Sequence, residues 1–70
     1  MANSLTNHYF NVLDPGGDKV NGNQMLDKAA AVNLAVNKSS AKPGVWTVES
    51  VFGRGRSKVE EKYEGGRKVR

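Results

Sequence analysis

Arg54 and Arg56 stand one residue apart in the run Gly53-Arg54-Gly55-Arg56, and that arrangement suits phosphate. A guanidinium is planar, can hold a phosphate through two parallel hydrogen bonds, and can stack on a base. The glycines let backbone approach a phosphodiester chain closely. Lys58, Arg67, Lys68 and Arg70 follow in the same stretch. Arg54, Arg56, Lys58, Arg67, Lys68 and Arg70 are therefore the candidate nucleic-acid-binding residues. Phosphate contacts supply affinity without reading sequence. The chemistry expected of this set is weak, salt-sensitive and poorly sequence-specific binding of DNA or RNA.

The charge balance sharpens that expectation. Between Gly53 and Arg70 there are seven cations and three anions, a net of +4. Residues 1–52 carry four lysines and four acids and are neutral. The whole net charge of +4 thus sits at one end, and such an asymmetric field draws in polyanions or acidic surfaces. Glu60, Glu61 and Glu64 oppose this, because they can pair with Lys58 and Lys62 and leave a self-neutralised, solvated edge. Lysine on an edge strand also blocks aggregation. The alternative function is accordingly a small protein-interaction factor, a phage- or mobile-element-type inhibitor or adaptor that docks on an acidic partner surface. An edge strand can add to a partner's sheet, which also leaves a homodimer open.

Other chemistries find too few residues. A phosphate loop needs glycine directly before Lys-Ser/Thr at the start of a helix, whereas here Ser57-Lys58 opens a strand-like run. Asp14, Asp18, Asn21 and Asn23 cluster, but they lack the alternate acids, central glycine and closing glutamate of a calcium loop. They read as turn and cap residues. His8 is the lone histidine and there is no cysteine, so neither a zinc site nor a disulfide is expected. No nucleophile, base and orienting group converge. We expect a non-catalytic module without cofactor or metal.

These residues must be carried by something, and the chain offers short elements. His8 to Leu13 is aromatic and β-branched, which suits a strand. Asp14-Pro15-Gly16-Gly17 closes it with type II turn chemistry, the positive φ falling on Gly16. Asp18 to Val20 could pair back as a second, very short strand, and Asn21-Gly22 turns again. Residues 24–38 form the one helical stretch. Asn23 is the expected N-cap, and Met25, Ala29, Val32 and Val36 the inward stripe. Ser39 to Gly44 breaks it.

Val45 to Phe52 alternates as a strand, with Trp46, Val48 and Phe52 on the side that should meet the helix. Residues 53–56 read as a hairpin connection. Lys58 to Glu64 alternates again, placing Val59, Glu61 and Tyr63 on one side and Lys58, Glu60, Lys62 and Glu64 on the other. Gly65-Gly66 ends that run, and residues 65–70 are a basic tail.

The architecture expected is α+β: a small, mostly antiparallel sheet of three or four strands with one helix on one face, in the order β-(β)-α-β-β. The 70 residues make a single small domain with a frayed segment 1–7. A chain of that size buries only about 60% of the surface its unfolded form exposes, so its core is small. No apolar run approaches the roughly 20 residues that span a bilayer. The N-terminal residues lack a cationic region followed by an apolar one, and a cytoplasmic location with no membrane partner is expected. Of the five aromatics, Trp46 should be core, while Tyr9 and Tyr63 are candidates for exposure.

Overall fold

The computed structural model describes residues 8–52 and 56–69. The fold is α+β. Strand β1 (Tyr9–Leu13), helix α1 (Lys28–Ala41), β2 (Trp46–Phe52), β3 (Arg56–Glu64) and β4 (Arg67–Lys68) follow in order. The strands form one sheet in the order β1-β2-β3-β4, every neighbouring pair antiparallel. The helix covers one face. The short second strand considered at Asp18–Val20 is instead a single bridge, Leu13 to Lys19.

Helix α1 starts later than the pattern suggests. Phe10 donates its amide to the Leu26 carbonyl (2.8 Å), which holds the residues before the helix against β1. The N-cap is therefore Asp27, not Asn23, and its side chain accepts from the Ala30 amide at 2.8 Å. The helix ends at Lys42, which is extended (φ −132°, ψ 140°), as a residue preceding proline must be. The shift changes the inward stripe to Ala31, Ala35 and Ser39. Val32 and Val36 pack beside it, and Met25 lies outside the helix, 74% exposed.

Small side chains on that stripe let the helix sit close to the sheet. The core beneath it is Val12, Val48, Trp46 and Tyr63, each at most 5% exposed. Burying a side chain such as Val48 contributes about 1.5–3 kcal/mol. The Trp46 indole N–H donates to the Lys42 carbonyl (3.3 Å), so its burial strands no polar group. Tyr63, a candidate for exposure by sequence, is 5% exposed.

The open edge of β1 is closed by polar side chains. Asn21, 6% exposed, accepts the Val12 amide on Oδ1 at 3.1 Å. Its Nδ2 donates to Asn11 Oδ1 (3.0 Å) and to the Gln24 carbonyl (2.8 Å), and Asn11 donates on to Glu49 Oε2 (3.3 Å). The Val20 amide then donates to the Val12 carbonyl (2.9 Å). The loop thus does the work of an extra strand. At its start Asp14 Oδ1 accepts from the amides of Gly16 and Asp18. The positive φ of that turn falls on Gly17 (φ 93°), not Gly16.

Beyond β3, the segment read as a basic tail folds back. Gly65 (φ 64°) and Gly66 (φ 82°) form a two-residue turn with both residues left-handed, the hairpin geometry that glycine pairs favour. Glu64 then faces Arg67 and Tyr63 faces Lys68. The Gly66 amide donates to Ser39 Oγ (2.9 Å), which ties this turn to the end of the helix.

Candidate nucleic-acid interface

The register between β2 and β3 decides where each cation points. Val48 faces Glu61 and Glu49 faces Val59, so Glu60 is an extra residue, a β-bulge. A bulge shifts the alternation by one. Glu61 and Tyr63 share the helix-bearing face with Val48 and Trp46, while Val59 is turned to the opposite face. The simple alternation had grouped all three of Val59, Glu61 and Tyr63. The same shift brings Arg56 and Lys58 onto the helix-bearing face, opposite Phe52 and Ser50.

The six candidate cations are therefore distributed as follows. Arg56 and Lys58 are exposed neighbours on one face of the β2–β3 hairpin. Lys68 shares that face further along, beside the helix, and Arg67 faces Glu64 on the other side of the sheet. Arg54 and Arg70 lie outside the described residues.

The helix starts level with Glu61, which pairs with Lys28. The hairpin runs on past it, and among the described residues no helix covers the face there. Two cross-strand rows stand there. Tyr9 pairs with Val51, which sets His8 across from Phe52, and Phe52 faces Arg56. Phe10 faces Ser50, which faces Lys58. The His8 ring lies 5.1 Å from that of Phe10 and 6.2 Å from that of Phe52, edge-on to the latter at 86°. Phe52 is 39% exposed; grouping it with the core-facing residues placed it on the right side but beyond the reach of the helix. Glu60 borders this patch and accepts the Ser50 hydroxyl on Oε2 at 2.8 Å. Arg56 and Lys58 make no ion pair among the described residues, where the pairs formed belong to Lys28 and Lys68.

A second polar cluster escaped sequence reasoning because its members are far apart in the chain. Glu61 Oε2 lies 3.5 Å from both Lys28 Nζ and Lys68 Nζ, and its Oε1 accepts the Tyr63 hydroxyl at 2.5 Å. These groups line an open groove of about 600 Å³ with Ala29, Val32 and Asn33. The bond from Tyr63 holds the Glu61 carboxyl below its ordinary 4.5; partial burial opposes this, and Lys68 and Lys28 assist. Burial, with the adjacent Glu61 charge, pushes the Tyr63 phenol up to about 12. Alternation from the buried Tyr63 is the local cause: it turns Glu61 toward the helix, where Lys28 can reach it. Lys68 is thereby committed to an internal pair, unlike Arg56 and Lys58.

No family model, curated protein or solved structure matches this chain. Among the described residues no helix is long and apolar enough to cross a membrane.

Proposed function

We propose that this protein is a small non-catalytic module that binds the phosphate backbone of nucleic acid through the β2–β3 hairpin. The supporting observation is the pair Arg56 and Lys58. They project from one face, two residues apart, without an ion pair among the described residues. Two free cations at that spacing can contact consecutive phosphates, and Arg54 in the adjoining connection adds a third positive charge to the sequence there. Affinity from so few contacts is weak, and among the described residues no groove-reading element accompanies them. We place this activity in the cytoplasm, where a chain without cysteine loses nothing to the reducing conditions.

An acidic protein surface is the competing partner. The outer side of β3 from Arg56 to Glu61 is paired with no strand among the described residues, so it could accept an acidic extended segment.

Titration of labelled DNA and RNA at low and moderate salt tests the proposal. Binding should fall as salt rises, with a log–log slope of roughly −1.4 for two contacted phosphates on a single strand. Arg56→Ala and Lys58→Ala should each flatten that slope. Absence of binding at low salt, together with protein capture that survives nuclease treatment, would assign the surface to the acidic partner.

A further inference from the structure

Beyond phosphate contact, on which this reading rests, we infer that the hairpin selects single-stranded nucleic acid by stacking a base on Phe52. Three features converge on that ring. Phe52 keeps 39% of its surface exposed, although its strand neighbours Val48 and Ser50 are sealed at 0% and 1%. It is past the end of the core but not loose, because the His8 ring meets it edge-on and also contacts Phe10. Arg56 stands directly across the strand pair from it. An aromatic face held by neighbouring rings and flanked by a cation is the arrangement by which proteins bind unpaired strands: the base takes the ring and the phosphate takes the cation.

Geometry gives the ligand its class. Residues two apart on a strand are separated by about 6.8 Å, so Lys58 stands about one such step from Arg56 along the same face. A strand lying along β3 can place one phosphate at each cation while a base turns in toward Phe52. A duplex cannot, since its bases are stacked on each other and only its phosphates are offered. Every base has a π face, so the selection is for the unpaired state and not for sequence. Glu60 bounds the site on its inner side, and its carboxylate is already engaged by Ser50.

The test uses four probes of equal length at low salt: oligothymidine, oligoadenine, an abasic phosphodiester strand and a duplex. The base-bearing strands should bind at least about fivefold more tightly than the abasic strand. Phe52→Leu keeps an apolar side chain but removes the π face and should erase that difference. Phe52→Tyr should retain it, and Arg56→Ala should weaken all four probes together. Thermal melts of the variants confirm that each remains folded. Equal binding of abasic and base-bearing strands, or a difference that survives Phe52→Leu, would overturn the stacking inference while leaving the phosphate contact intact. Failure of all four probes to bind the wild type would remove the phosphate reading, and this inference with it.

Discussion

Strands β2 and β3 belong to two different environments along their length. Toward the β3–β4 turn they lie under α1, and Trp46, Val48 and Tyr63 are sealed against Ala31 and Ala35. Toward the β2–β3 connection they leave the helix behind, and Phe52, Arg56, Lys58 and Val59 face solvent. One end supplies the cohesion of the fold and the other end uses it as a support. In a chain this small, a binding surface made of core residues would compete with folding. Placing the proposed surface beyond the helix would separate the two demands.

Truncating one aromatic at each end probes that separation most strongly. Trp46→Ala should cost about 3–5 kcal/mol, enough to unfold most molecules of a marginal domain. Phe52→Ala, on a ring that remains substantially exposed, should stay within about 1 kcal/mol. Urea denaturation measures both, and equal losses would break the comparison. Next in size is Asn21→Ala. It strips the Val12 amide of its acceptor and should cost about 1–3 kcal/mol, with faster hydrogen exchange at Val12.

The smallest effect concerns pH. Glu61 has a lowered value in the folded state. Its contribution is complete above the ordinary 4.5 and is lost as pH falls through the lower, folded value. Glu61→Gln should therefore show a shallower decline in Tm over that acidic range. Tyr63 works at the opposite extreme. Its neutral form is favoured by folding, so its contribution holds below pH 10 and disappears as pH rises toward about 12.

The architecture was legible because its signals were local. The alternation in Val45 to Phe52, the proline after α1 and the glycine-bounded hairpin each specify a piece without reference to the rest. Where long-range contacts intervened, local reading drifted. Leu26 is drawn into a bridge with Phe10, which delays the helix to Asp27 and replaces the expected stripe. Asn21 looked like a turn residue, and its role at the edge of β1 depends on Asn11 and Glu49, ten and twenty-eight positions away. The glycine pair before Arg67 carries a hairpin signal as well as a strand break, and only the pairing of Arg67 and Lys68 with β3 separates the two.

For the site, composition located the cations but not their orientation. The extra residue at Glu60 decides that Arg56 and Lys58 join the aromatics on one face, and no alternation pattern reveals a bulge. Spacing alone likewise gave no hint that Lys68 is held by Glu61.

The outer side of β3 has one more consequence. Two copies meeting there around a two-fold axis at Ser57 would set Arg56 against Lys58, like charge against like, and the kink at Glu60 would curve the next residues out of reach. In that register the strand repels a second copy of itself. The chain should stay dispersed at concentrations where a flat, uncharged strand of the same length would seed fibrils.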